Sequence, residues 1–173
     1  MSLSASVPVA LTSAELADLT RRYADEVRCG MHEVYADADE RWHVRLHSDE
    51  QVDVWLISWT TEQGTELHDH GGSGGAFTVV SGRLTESVHR SGRGAVRGML
   101  VDLGREAGET IAFGDRYVHD VRNHDAETAV SVHAYSPPLS LMHYYDMVEG
   151  ELVRRASAWT NDPEAPAPER VAS

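Results

Sequence analysis

Apolar residues near the start of the chain recur at the spacing of an amphipathic helix. Four of them fall three or four positions apart: Leu16, Leu19, Tyr23 and Val27. Thr12 and Glu15 form a capping box just before this run, because each can satisfy a free backbone amide where a helix starts. The pattern predicts a helix from about Thr12 to Cys29, followed by a second short helix over 31–38.

After Glu40 the pattern changes to short apolar runs that are separated by Gly, Asp and Asn. Eight of these runs are candidate strands: 42–47, 52–60, 76–80, 83–89, 98–103, 110–113, 119–122 and 128–135. Short strands at this spacing are typical of a β-sandwich or a β-barrel. The sequence therefore predicts a mainly β protein with helices at its N-terminal end.

The two ends of the chain differ from its middle in composition. Residues 1–11 are small and largely uncharged, and three prolines lie among Glu and Ala after Trp159. Such a composition is typical of a solvated, poorly ordered end. We therefore expect a flexible arm over 1–11, a single domain with an N-terminal helical segment over 12–160, and a flexible tail over 161–173.

Composition and charge exclude several classes of protein. The 28 acidic and 15 basic residues give a formal charge of -13, which argues against nucleic acid or an anionic membrane as a partner. The one cysteine, Cys29, excludes an internal disulfide framework and a cysteine-only metal site. The chain lacks a signal-peptide pattern and any apolar stretch longer than a strand, so we interpret it as a cytoplasmic protein.

Three of the ten histidines are candidate metal ligands. His68 and His70 lie two positions apart, so on a strand both rings point to the same face and can reach one ion. The residues around them and around His119 resemble the two conserved blocks of the cupin superfamily: Gly64…His68-x-His70…Gly82 and Gly114-x4-His119-x3-Asn123. The resemblance implies a double-sheet jelly-roll barrel in which His68, His70 and His119 hold a metal ion.

Gly75 stands where the first cupin block usually carries a glutamate ligand. The predicted site therefore offers three neutral imidazoles and no carboxylate, which leaves a divalent ion its full positive charge. Such an ion can accept an anionic ligand such as a thiolate. The donor set alone does not choose between iron, copper and zinc.

Three segments are similar to the cysteine dioxygenase family in particular: His68-Asp-His-Gly-Gly-Ser73, Gly82-Arg-Leu-Thr-Glu86 and Ser131-Val-His-Ala-Tyr-Ser-Pro-Pro138. Side chains 131, 133 and 135 share one face if this segment is a strand. The resemblance implies that Ser131, His133 and Tyr135 form a hydrogen-bonded relay whose tyrosine hydroxyl points at the metal site. It also implies a cis peptide bond before Pro137.

Arg45 matches the arginine with which this family holds the carboxylate of its substrate, and a guanidinium can do so through two parallel hydrogen bonds. A related branch that acts on 3-mercaptopropionate has glutamine at this place, so Arg45 favours L-cysteine. His43, two residues earlier on the same strand face, stands where the family often has tyrosine and is a second candidate for binding substrate. Gly75 also replaces the cysteine that animal members cross-link to the relay tyrosine, so we expect Tyr135 without a cross-link.

The resemblance thus implies a thiol dioxygenase with a non-haem Fe(II) cofactor, which oxidises L-cysteine with O2 to cysteine sulfinic acid. Its partners would be a small thiol and O2, with no nucleic acid and no membrane, and it would be a monomer or a weak homo-oligomer. Two alternatives stay open: a dioxygenase of another small thiol such as 3-mercaptopropionate, and a non-redox metal-binding cupin that contains zinc or manganese. The second leaves Arg45 and the relay residues without a role.

Overall fold

The computed structural model describes residues 9–92 and 97–169 and begins with one helix, α1 (Ser13–Arg28). The predicted capping box is confirmed: the Glu15 amide donates to Thr12 Oγ1 at 3.3 Å, and the Thr12 amide donates to the Glu15 carboxylate at 2.8 Å. The buried face of α1 consists of Leu16, Ala17, Thr20, Ala24 and Val27. No helix in the described residues is long and apolar enough to cross a bilayer.

The second predicted helix, over 31–38, is wrong, because this stretch is irregular. Gly30 has a φ of 75°, a left-handed conformation in which helices end. The apolar side chains of Met31, Val34 and Tyr35 are exposed, so a helix here would bury no apolar face against the rest of the protein. Within the described residues, the N-terminal helical segment therefore contains α1 alone.

Eleven strands follow in the part of the chain that the structure describes. They are β1 (His43–Ser48), β2 (Asp53–Trp59), β3 (His68–Asp69), β4 (Gly74–Ser81), β5 (Arg83–Arg90), β6 (Met99–Glu106), β7 (Thr110–Phe113), β8 (His119–Arg122), β9 (Ala129–Ser136), β10 (Leu141–Val148) and β11 (Glu151–Trp159). They pair antiparallel in two sheets, with the orders β1-β2-β9-β4-β7 and β11-β10-β3-β8-β5-β6. The predicted mainly β, double-sheet architecture is confirmed.

Strand β2 shows how the core is divided, because all seven of its residues are buried. Trp55 and Ile57 face inward, into an apolar cluster that lies between the two sheets. Val54 and Leu56 face outward, into a second cluster that α1 covers. Strand β9 pairs with β2 and is also buried throughout, so Ser131 and His133 lie opposite the inward residues Ile57 and Trp55.

Each of the eight predicted runs overlaps one strand, but β3, β10 and β11 fall outside the prediction. Strand β3 has only two residues, too few to show a period. Strands β10 and β11 form a hairpin through Glu149 and Gly150, whose φ angles of 50° and 82° suit a tight two-residue turn. Both strands mix buried, half-buried and exposed side chains without strict alternation, so their sequence carries little signal.

The chain turns back over the barrel after β11. Residues 161–167, here called the C-terminal segment, lie against the barrel, and Arg155 Nη1 donates to the Pro168 carbonyl oxygen just beyond them at 2.8 Å. Residues 1–8 and 170–173 of the expected arm and tail lie outside the described residues. The division of the chain into arm, domain and tail stays a prediction.

Candidate metal centre

The three predicted metal ligands come together inside the barrel. His68 in β3 pairs directly with His119 in β8, and His70 follows β3 immediately. One ring nitrogen from each residue lies within 4.8 Å of the others, and the Nε2 atoms of His68 and His70 are 3.2 Å apart. These residues, here called the histidine cluster, are all buried. The structure therefore places three imidazole donors around one point.

Hydrogen bonds orient two of the three rings. His68 Nδ1 lies 2.7 Å from the Glu66 carbonyl oxygen, and His119 Nδ1 lies 2.8 Å from Glu86 Oε1. Because a carbonyl or carboxylate oxygen can only accept, each of these Nδ1 atoms carries the proton and leaves the Nε2 lone pair free for a metal. His70 Nδ1 is buried and has no hydrogen-bond partner.

Two members of the histidine cluster, His68 and His70, are held in the neutral form that metal binding requires. Burial, together with the neighbouring His119, lowers the pKa of His68 to about 3. Burial also lowers the pKa of His70 well below its usual value. Three imidazole nitrogens that lie this close together fit a divalent transition-metal ion.

Glu86 anchors the outer side of the cluster, and the sequence reasoning gave it no role. Its side chain is completely buried, and Arg105 Nε and Tyr117 Oη donate to the carboxylate at 2.8 and 3.1 Å, beside the bond from His119. Burial alone would raise the pKa of Glu86, but the bond from His119 and the ion pair with Arg105 outweigh it and lower this pKa. The available signal was a carboxylate at an inward position of β5, between the buried residues Leu84 and Val88.

Gly75 occupies the position at which the first cupin block usually carries its glutamate ligand. Gly75 pairs with Tyr135 across the sheet, and a Cβ added to it would lie 2.6 Å from two ring atoms of Phe113. The same Cβ would lie 3.0 Å from the Ala134 carbonyl oxygen. The barrel therefore has no room for a side chain here without movement of the Phe113 ring.

The three relay residues lie in register on β9 and are buried. Ser131 Oγ is 2.8 Å from His133 Nε2, and His133 Nδ1 is 3.4 Å from the Tyr135 hydroxyl. The Trp59 indole donates to Ser131 Oγ at 2.8 Å and closes the far end of the chain of bonds. The Tyr135 ring lies 4.8 Å from the His70 ring, centroid to centroid, so the relay reaches the histidine cluster.

Burial fixes the protonation of the relay. It lowers the pKa of His133 to about 3 and raises the pKa of Tyr135 far above its usual value. His133 is therefore neutral and Tyr135 keeps its proton at neutral pH. The peptide bond between Ser136 and Pro137 is cis, as expected.

The two predicted substrate-binding residues lie on β1 and contact the C-terminal segment. The Arg45 guanidinium stacks 4.4 Å above the Trp55 ring and donates to the Asn161 carbonyl oxygen at 2.9 Å. His43 Nε2 lies 3.2 Å from Asp162 Oδ1. Arg45 and His43 thus lie on the inner side of β1, and their polar atoms contact residues of the C-terminal segment.

Arg41 is a third basic side chain on this side of the barrel, and the sequence reasoning missed it. Its guanidinium lies 4.7 Å from the Trp59 ring centre, donates to the Gly64 carbonyl oxygen and forms an ion pair with Glu164. The available signal was the spacing of Arg41, two positions before His43, which favours the same face of an extended chain.

A cavity of about 290 Å³ lies between Arg41 and the histidine cluster. Arg41, His68, Met142 and Tyr144 line it from the barrel, and residues of the C-terminal segment line its other wall. A volume of this size suits a small molecule. The cavity provides a place for a ligand that touches a histidine of the cluster and a cation at once.

A double antiparallel sheet around three histidines that could hold a metal ion is the arrangement of a cupin. The sequence model of the family described as cysteine dioxygenase type I matches residues 10–148. The chain therefore belongs to the cysteine dioxygenase type I family.

Solved structures agree with the fold. A protein from Thermus thermophilus matches with a TM-score of 0.50 and 17% identity, covering 60% of this chain and 90% of that one. An RmlC-like cupin protein from Desulfovibrio desulfuricans matches with a TM-score of 0.50 and 15% identity, covering 63% of this chain and 93% of that one. At these identities the likeness concerns the cupin fold alone.

Proposed function

We propose that this protein is a cysteine dioxygenase that converts L-cysteine and O2 into cysteine sulfinic acid. One observation carries the proposal: three clustered histidines without a carboxylate lie beside a buried tyrosine that a Ser-His pair holds in place. The family supports thiol oxidation in general. Arg45 supports L-cysteine as the thiol, because the related branch that acts on 3-mercaptopropionate has glutamine at this place.

His68, His70 and His119 would hold iron(II), and the bound iron would supply the centre at which the thiol sulfur and O2 react. The histidines bring no negative charge, so the site favours the thiolate form of the substrate. Both oxygen atoms end on sulfur. The sulfur gives up the four electrons that O2 takes up, so the reaction needs no external reductant.

Tyr135 acts in this proposal as a hydrogen-bond donor to the reacting groups. With the Ser131 hydroxyl donating to His133 Nε2, the Nδ1 proton of His133 points to the Tyr135 oxygen. The Tyr135 proton is then free to point toward the histidine cluster. The raised pKa of Tyr135 keeps that proton in place throughout the neutral pH range.

Arg45 receives the substrate carboxylate in this proposal, and His43 lies two positions before it on β1. Both residues have polar contacts with the C-terminal segment that a carboxylate would replace. The substrates are thus a small thiol and O2. We place the reaction in the cytoplasm, where small thiols stay reduced.

The test is oxygen consumption by protein loaded anaerobically with iron(II) and then mixed with L-cysteine. We expect uptake in the wild type and in the control His124→Ala, which changes an exposed histidine outside the cluster. We expect neither iron binding nor uptake in His70→Ala. Uptake by His70→Ala equal to that of the control contradicts the proposal, as does a wild type that binds iron but oxidises no thiol.

A further inference from the structure

The C-terminal segment is fastened to the barrel by three side chains, two from β1 and one from Arg41 just before it. Each contacts a different segment residue: Arg45 with Asn161, His43 with Asp162, and Arg41 with Glu164. Two of the three partners are carboxylates, and two of the three barrel residues are arginines. The segment therefore presents, inside the pocket, the same chemical group that an acidic substrate carries.

Arg41 and Glu164 form the most enclosed of these contacts. Their side chains are only 16% and 3% exposed, and the pair lies on the cavity that His68 also lines. Burial, reinforced by the nearby Arg122, lowers the pKa of Arg41 to about 10. Arg41 is therefore still charged at neutral pH, and a buried guanidinium of this kind needs an anion beside it.

The backbone of the segment does not hold it in place. Apart from the Asn161 carbonyl oxygen, which accepts from Arg45, its backbone bonds in the part of the chain that the structure describes are local turns, such as the Glu164 amide donating to Asp162 Oδ1 at 2.9 Å. Pro163 and Pro166 have no amide hydrogen and cannot join a strand ladder. The segment is thus attached through side chains that a competing ligand can replace without breaking a sheet.

We propose that the C-terminal segment is a lid, and that Glu164 holds on Arg41 the place that the carboxylate of the thiol substrate takes on entry. This rests on the proposed function for the nature of the substrate. Arg41 is then a specificity-determining residue that receives the carboxylate on entry, before Arg45 holds it for the reaction, and in the free enzyme the acidic C-terminal segment closes the pocket. A carboxylate-bearing thiol opens the lid because its carboxylate replaces Glu164 as the ion-pair partner of Arg41.

Two variants test the exchange because the proposal gives their effects opposite signs. Glu164→Gln removes the competing charge, so the KM for L-cysteine should fall about tenfold. Arg41→Gln removes the charge that receives the substrate, so the KM for L-cysteine should rise about tenfold. The control Glu169→Gln, an exposed acid beyond the segment, should leave the KM unchanged.

Cysteamine, a thiol without a carboxylate, separates recognition from general damage. Arg41→Gln should raise the KM for L-cysteine but not the KM for cysteamine. If Arg41→Gln and Glu164→Gln shift the KM for L-cysteine in the same direction, the pair only fastens the chain and the proposal is wrong. An equal rise for both thiols in Arg41→Gln also overturns it.

Hydrogen exchange tests the lid without relying on turnover. Under anaerobic conditions, L-cysteine should speed amide exchange in a peptide that spans 161–169 of the wild type, and cysteamine should not. Glu164→Gln should show the faster exchange without any ligand. If neither L-cysteine nor the Glu164→Gln variant changes the exchange, the lid proposal is wrong, even if the protein oxidises cysteine. If the lid opens in a protein that oxidises no thiol, the proposed function is wrong instead.

Discussion

The Nδ1 of His119 lies 2.8 Å from the carboxylate of Glu86, a residue that is completely buried on the strand next to β8. This bond fixes the tautomer of a predicted metal ligand and aims its other nitrogen at the histidine cluster. Arg105 balances the carboxylate charge, with its Nη2 2.5 Å from Glu86 Oε2. The cluster is thus oriented from outside by an ion pair that lies within the six-stranded sheet.

The first prediction concerns this pair. Glu86→Gln should weaken iron(II) binding by about 10- to 100-fold, because the neutral amide orients His119 less firmly and leaves Arg105 without its counter-charge. Competition with a chelator of known affinity measures the change. Glu106→Gln, which alters an exposed carboxylate paired with Arg83, is the matched control. Equal iron affinities in the two variants would show that Glu86 does not support the metal site.

The second prediction concerns the tyrosine of the relay. Tyr135→Phe should lower kcat by about 100-fold or more, because it removes a positioned hydrogen-bond donor from the reacting groups. Its iron content should match that of the wild type, since Tyr135 is not one of the three ligands. Tyr35→Phe, at an exposed tyrosine bonded to Glu33, should keep full turnover. Full turnover in Tyr135→Phe would remove the relay from the mechanism.

The third prediction concerns Arg45. Arg45→Gln should lower kcat/KM for L-cysteine by about tenfold, because a neutral amide replaces a charged donor to the carboxylate. The ratio of kcat/KM for 3-mercaptopropionate to that for L-cysteine should rise, because the related branch that acts on 3-mercaptopropionate has glutamine at this place. Parallel assays with the two thiols measure the ratio, and Arg154→Gln at an exposed position is the control. A ratio that stays constant would mean that Arg45 does not discriminate between these thiols.

The fourth prediction concerns pH and Asp53, which is buried next to the relay. Asp53 Oδ1 has no hydrogen-bond partner, and burial raises the pKa of this carboxyl above its usual 3.8 although the Trp55 indole donates to Oδ2. A raised pKa in the folded state favours folding while the group is protonated. That contribution is present below the unfolded pKa and is lost as the pH rises through the folded pKa.

Asp53→Asn should therefore gain stability relative to the wild type as the pH rises from below 3.8 to neutrality. Denaturant unfolding at a series of pH values measures the difference in the free energy of unfolding. Asp115→Asn, at an exposed aspartate, should show no such trend. A difference that is constant over this range, or that changes in the other direction, would show that Asp53 is not protonated more readily in the folded state.

The parts of the site that the sequence predicts are those that short-range rules govern. His68 and His70 lie two positions apart, and the relay residues alternate along one strand, so period two alone brings each set to one face. The third ligand, His119, was found through a resemblance to two cupin blocks. The structure places it directly opposite His68.

The parts that the sequence did not predict depend on pairing over long distances. Glu86 becomes a partner of His119 only when β5 and β8 are neighbours, and nothing local to Glu86 shows this. Arg41 meets Glu164 across 123 positions. A proline-rich acidic stretch is typical of a solvated end, so composition could not predict that the C-terminal segment contacts the barrel.

The most direct test of the central claim is the fate of labelled O2. Iron(II)-loaded protein is mixed with L-cysteine under O2 that carries the heavy oxygen isotope, and the product is analysed by mass spectrometry. The account predicts cysteine sulfinate in which both sulfur-bound oxygen atoms are labelled. A disulfide product, a sulfinate with one label or none, or a protein that retains zinc and consumes no O2 with any small thiol would contradict it.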